Sequence, residues 1–150
     1  MSPALTEAVR GVTFGVRGIP VPQGTARAFV AGGRAFLATD ANRLNSPIGA
    51  WRAAIAREAQ VAMTGWALIE TPVGIMATFG LPRPRSLPKR VTEPDAKPDL
   101  DKLARALLDA ITGVVIRDDA QVVDLQLRKL YDDEQPGVFV NVVELPGGRR

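Results

Sequence analysis

Asp99-Leu-Asp101 and Asp118-Asp119 are the steps of this 150-residue chain whose types and spacing point most directly to chemistry. The chain has no His and no Cys. That removes the commonest general base, the Ser-His-Asp triad, thiol nucleophiles, disulfides and thiolate metal sites. Catalysis must come from carboxylates, Lys, Arg, hydroxyls or a hard metal ion held through oxygen. Asp-x-Asp alone is a weak signal, since it also caps helices and holds sugar nucleotides in glycosyltransferases. In an extended segment residues i and i+2 share one face, and the electropositive start of a following helix steadies carboxylates and phosphate alike.

The stretch between the two acidic steps adds geometry. Leu103, Leu107, Ala110 and Ile111, widened by Leu100, Ala104 and Leu108, predict a buried helix from Asp101 to Thr112. Such a helix travels about 18 Å at 1.5 Å per residue. Gly113 suits the position after a helix end, Val114 to Ile116 reads as a strand, and an extended run to Asp118 covers about 20 Å. A reversal at Gly113 therefore predicts that Asp118-Asp119 returns to Asp99 and Asp101. Clustered carboxylates raise each other's pKa. Mg²⁺, with Mn²⁺ as a substitute, relieves that by taking oxygen ligands and retaining water.

Charge is partitioned in the same sense. Residues 93–134 carry 11 acids and 6 bases, and the rest of the chain carries 13 bases and 5 acids. A basic body with one acidic cluster fits a polyanion-binding protein with a metal pocket, and a solvated acidic patch explains the charge equally well. Pro82 to Arg90 is a proline-spaced loop bearing Arg83, Arg85, Lys89 and Arg90 just ahead of the acidic region. It reads as a backbone-contacting arm or an extended solvated connection.

Elements to position these residues are given by periodicity. Val12 to Val16, Val73 to Phe79, Val123 to Leu127 and Val138 to Leu145 alternate as strands. Ala28–Val30 and Arg34–Leu37 flank Gly32-Gly33 as a hairpin, where Phe29 and Phe36 beside Arg27 and Arg34 either pack the hairpin for stability or contact a bound polyanion. Ser46-Pro47 starts a helix whose stripe is Trp51, Ile55, Ala59 and Ala62, ending before Gly65. Trp51 and Trp66 read as core or dimer packing, Asp124 as an exposed strand residue, and Asp109 as structural or solvated. The mixture predicts a single α+β domain over 1–150, a mixed, mostly antiparallel sheet with two main helices, and frayed tails at 1–11 and 146–150. No run of some 18 apolar residues crosses a membrane and no secretion signal opens the chain, so a cytoplasmic protein is expected.

Lys97-Pro-Asp-Leu-Asp-Lys-Leu-Ala-Arg-Ala-Leu-Leu-Asp-Ala-Ile-Thr-Gly113, followed by Asp118-Asp-Ala-Gln-Val-Val-Asp124, resembles the RusA family of Holliday junction resolvases. The resemblance is strong from Lys97 to Val143 and weaker earlier, through Gly18-Ile-Pro20, the Trp51 helix and the Phe79 strand. It implies a Mg²⁺-dependent, structure-selective endonuclease, often encoded by phages or prophages, that acts as a homodimer on four-way DNA junctions in recombination and repair. It implies Asp99, Asp101 and Asp119 as catalytic metal ligands, with Asp118 assisting or capping the turn. Two departures stand beside them: Lys102 where the family has Asn, and Arg105 where it has a functional Lys. Arg105 keeps the charge and binds phosphate bidentately, but it cannot act as a base. Lys102, Arg83, Arg85, Lys89, Arg90 and Lys97 are the expected DNA contacts. The alternatives are a catalytically weak junction-binding relative, a nuclease for flaps or forks, and, least favoured, an Asp-x-Asp glycosyltransferase.

Overall fold

Three strands form because apolar residues alternate with small or polar ones, so that each strand has one face to bury. The computed structural model describes residues 10–24, 27–31, 34–38 and 46–149. In β1 (Gly11–Arg17) Val12, Phe14 and Val16 point inward. In β4 (Val73–Leu81) Val73, Ile75, Ala77 and Phe79 do so, and in β6 (Gly137–Glu144) Val138, Val140 and Val142. With β5 (Val122–Tyr131) they build a four-stranded sheet of order β1-β6-β4-β5. β6 is antiparallel to both β1 and β4, whereas β5 runs parallel to β4 along the sheet's edge. A separate hairpin pairs β2 (Arg27–Ala31) with β3 (Arg34–Ala38), setting Phe29 opposite Phe36. The expected roles of the side chains of Arg27, Phe29, Arg34 and Phe36, in packing or in contact, lie outside the described residues.

Both helices cover one face of the sheet. α1 (Pro47–Ala62) starts as its sequence predicts: Ser46 Oγ accepts the Gly49 amide at 3.1 Å, and Pro47 opens the first turn. Ile48, Trp51, Ile55 and Ala59 bury its inner stripe. Gly18 sits at φ 138°, a region open to glycine, where a Cβ would meet Trp51 Cζ3 at 3.3 Å; the turn after β1 thus closes directly over the indole. α2 (Leu100–Ile111) is more deeply seated, with Leu103, Ala106, Leu107 and Ile111 inaccessible to solvent. β4, the connection, α2 and β5 together form a βαβ unit, which the hairpin-like links predicted from sequence did not include. Among the described residues nothing packs over the sheet's other face, where Met76 and Phe139 are more than half exposed. No helix among the described residues is long and apolar enough to cross a membrane.

Arg10 and Gly11, expected to belong to a frayed tail, are held by the sheet, and the rest of that expected tail lies outside the described residues. Gly11 already pairs with Val143, and Arg10 donates from Nε and Nη2 to both Glu144 carboxylate oxygens at 3.1 and 3.0 Å. The Arg10 guanidinium also lies 5.2 Å from the centre of the Trp66 ring, which leaves Trp66 partly exposed rather than in the core. The hydrogen bond from Arg10 holds the Glu144 carboxyl below the usual carboxylate range, against the opposing effect of burial. A lowered folded-state pKa gives stability that is present above the unfolded pKa and lost as pH falls through the folded one. Glu144→Gln is therefore expected to lower stability at pH 7 by about 1 kcal/mol or less, since the guanidinium is part-exposed and solvent-screened. Urea titrations at stepped pH should show that gap closing below the usual carboxylate range.

Candidate active site

The first acidic step lies where the chain enters α2. Asp99 is the N-cap, in extended conformation (φ −71°, ψ 136°), and its carbonyl accepts the Leu103 amide at 3.1 Å. Its carboxylate makes no capping hydrogen bond, and its one ion pair among the described residues is a loose 4.0 Å approach to Lys102 Nζ. Asp101 is already helical, in the first turn, rather than part of an extended Asp-x-Asp step. Its side chain is exposed and takes no hydrogen bond or ion pair among the described residues. The Asp101 carboxylate is thus left unengaged and that of Asp99 only loosely paired, at the positive end of a helix, which favours negative charge. Arg105, one turn on and exposed, shares that surface with Asp101 at i+4 spacing.

The segment leading into this helix is clamped from two sides. Lys129, near the end of β5, donates from Nζ to the carbonyls of Ala96 and Pro98 at 2.7 and 2.9 Å. Pro98 follows a cis peptide bond. Upstream, Arg83 is turned inward: its guanidinium donates to the Val91, Leu87 and Pro88 carbonyls and stacks 5.4 Å from the centre of the Tyr131 ring. The donors of Arg83, an expected DNA contact, hold the proline-rich loop in shape. Arg85, Lys89, Arg90 and Lys97 remain exposed on the same loop. Arg128 pairs loosely with Glu93, at 3.7 Å.

The second acidic step lies at the other end of the helix. Gly113, at φ 85°, reverses the chain, but Val114 to Ile116 does not extend into the predicted strand. The amides of Val114, Val115 and Ile116 all donate to the Ile111 carbonyl, and Gly113 N donates to Ile116 O at 2.7 Å. The β-branched run is consumed in a closed turn, with Val115 and Ile116 buried and Ile116 bridged to Ile69. Asp118 therefore leaves from the C-terminal end of α2. β5 is the element that travels back, and from Val122 to Lys129 it covers about 23 Å at 3.3 Å per residue. Among the described residues no three Asp, Glu, His or Cys side chains stand close enough to hold a metal ion. The predicted meeting of Asp99, Asp101, Asp118 and Asp119 does not occur within one chain.

Asp118 and Asp119 are nonetheless held in a built structure. Asp118 caps a 3-10 turn (Asp119–Gln121), accepting the Ala120 amide at 2.9 Å, while Asp119 is exposed with no hydrogen bond or ion pair among the described residues. Gln121 is the hub. Its Oε1 accepts the amides of Arg117 and Asp118, and its Nε2 donates to the carbonyls of Ile69 and Thr71. Sequence reading left Gln121 and Lys129 without roles. The Asp-x-x-Gln spacing of a capping box would have marked the first, whereas nothing local signals the second. At roughly 1 kcal/mol per hydrogen bond, with relaxation recovering part, Gln121→Ala is expected to cost about 2–3 kcal/mol. Urea unfolding of the variant measures it.

The model of the family described as endodeoxyribonuclease RusA matches residues 18–143. The uncharacterized protein YqaN of Bacillus subtilis (strain 168) is 28% identical over 144 residues, spanning 89% of this chain and 96% of its own length. The family match begins just after β1 and takes in β4, β5, β6 as far as Val143, both helices, and both acidic steps at the two ends of α2. The chain belongs to the RusA endodeoxyribonuclease family.

Proposed function

We propose that this protein is a divalent-cation-dependent endonuclease that nicks four-way DNA junctions, and that it does so as a homodimer in which each active site draws carboxylates from both chains. One observation carries the reading: Asp99 and Asp101 stand at one end of α2 and Asp119 at the other, with the carboxylates of Asp101 and Asp119 unengaged by the fold. A two-fold partner running in the opposite sense supplies at each end what the single chain lacks, and it matches the two-fold symmetry of a junction that must be cut twice.

Asp99 and Asp101, joined by Asp119 of the second chain, would hold Mg²⁺, which when bound supplies an activated water and offsets charge on the cleaved phosphodiester. The residues of this chain do the remaining work. Arg105 presents a permanent cation, one turn from Asp101, to a phosphate oxygen and cannot remove a proton. Lys102 balances Asp99 in the free protein and turns to the DNA backbone when the carboxylate is engaged. Arg85, Lys89, Arg90 and Lys97, exposed on the loop that runs into Asp99, hold flanking phosphates and position the strand without reading its sequence.

Subunit mixing tests the two-chain site directly. Asp101→Asn and Asp119→Asn are each expected to lower Mg²⁺-dependent junction nicking by about 10²-fold or more. When the two inactive proteins are mixed and allowed to exchange, each mixed dimer contains one site with both aspartates intact. Single-strand nicking then returns. A site contained within one chain predicts no recovery, and junction binding without cleavage in Mg²⁺ or Mn²⁺ marks a relative reduced to binding.

A further inference from the structure

A cleft of about 220 Å³ opens between the loop that runs into α2 and the turn after β1. Pro20 and Leu81, both buried, form its walls together with Ile19, Pro84, Pro98 and Tyr131. Ile19 is apolar yet 63% exposed beside it. Asp95, Ala96 and Lys97 make its exposed edge.

The cleft is held in shape from three directions. Lys129 Nζ fixes the carbonyls of Ala96 and Pro98 at 2.7 and 2.9 Å. Arg83 gathers the carbonyls of Leu87, Pro88 and Val91 and sets its guanidinium 5.4 Å from the centre of the Tyr131 ring. Across the cleft, the Gln23 amide donates to the Lys102 carbonyl at 3.0 Å. That bond ties the segment bearing Ile19 and Pro20 to the first turn of α2. Walls fixed in this way have little freedom left to lose when a ligand enters.

Position, chemistry and size bear on the occupant. Pro98 is the residue before Asp99, so the cleft opens about 3.8 Å along the backbone from a carboxylate-bearing residue of the acidic site. Its proline and aromatic walls suit a flat ring of low charge. The Asp95 carboxylate at the edge repels a phosphate and accepts an N–H. The cations of the same loop, Arg85, Lys89, Arg90 and Lys97, are exposed, where a phosphate backbone can reach them. An apolar cavity of about 150 Å³ takes a benzene-sized ring. A cleft of about 220 Å³ therefore has room for one nucleobase and not for a base pair.

We infer that this cleft receives a single unstacked nucleobase of the strand to be cut, next to the scissile phosphate and stacked on Tyr131. The base serves as a second anchor beside the metal site, so that the phosphodiester is located from two points. It also favours branched DNA. In a linear duplex the base must first be unpaired and unstacked, and at a branch point that cost is smaller. The inference rests on the nuclease reading for the strand it concerns, but its test reads binding and needs no cleavage.

Binding of the full chain to a fluorescent four-way junction in metal-free buffer, with one abasic nucleotide placed in turn at each position around the crossover, tests the cleft. One position is expected to weaken wild-type binding about tenfold, the size of one base stacked on an aromatic ring. Ala96→Phe fills the cleft from its exposed edge and leaves the core and the Ala96 carbonyl in place. It is expected to weaken binding of the intact junction about tenfold and to make that abasic position nearly silent. Tyr131→Ala, which removes the platform, is expected to repeat the pattern. A purely structural effect of either substitution leaves the abasic loss undiminished, because independent losses multiply. That result, or a scan in which no abasic position matters, overturns the inference, and Mg²⁺-dependent nicking of the intact junction then leaves the nuclease reading standing. Coupled losses in a chain that nicks nothing in Mg²⁺ or Mn²⁺ keep the cleft and remove the nuclease. A chain that binds no branched DNA removes both.

Discussion

The seating of α2 is the constraint on which the rest of the molecule depends. Leu103, Leu107 and Ile111 are sealed between the sheet and α1, so the helix can neither slide nor tilt without opening the core. Its length therefore fixes the distance between the two acidic steps. Asp99 and Asp101 stand at its start; Asp118 and Asp119 lie beyond its end. A rigid spacer in a packed core, rather than repulsion between carboxylates, keeps the acidic groups apart.

Each end is then secured by a different kind of tie. Ahead of Asp99, the Lys129 ammonium ties two carbonyls to β5, and Arg83 gathers the loop that precedes it. Behind the helix, Gln121 spends both ends of its amide on four backbone partners. Polar side chains thus satisfy backbone groups that no strand or helix reaches. The acidic residues are held by the backbone beneath them, and the carboxylates of Asp101 and Asp119 are left unengaged.

Much of this was legible in the sequence. The Ser46-Pro47 start, the stripes of both helices and the alternation at Val12, Val73 and Val138 are local signals, and the α+β class derives from them. Both acidic steps were identifiable by type and spacing. Their separation was not, because Val114-Val115-Ile116 has the composition of a strand. Whether such a run extends or closes into a turn is decided by burial against Ile69, a partner more than forty residues away in sequence. The parallel partnership of β4 and β5 was hidden for a similar reason, since the long proline-rich connection conceals a crossover. The loop-shaping bonds of Arg83 were not legible, because a charge in a loop is usually solvated and only the folded loop reveals the carbonyls gathered around it.

The closed turn at Gly113 has a consequence at the level of the cell. On the two-chain reading, it makes each polypeptide a bearer of two half-sites, so the isolated chain is chemically silent. Below its dissociation constant the number of working enzymes rises with the square of the number of chains, by mass action. Leaky synthesis then does little harm to a chromosome, and a modest burst of expression brings a disproportionate rise in cutting. The fold thereby acts as a dosage threshold, set by where one glycine turns the chain.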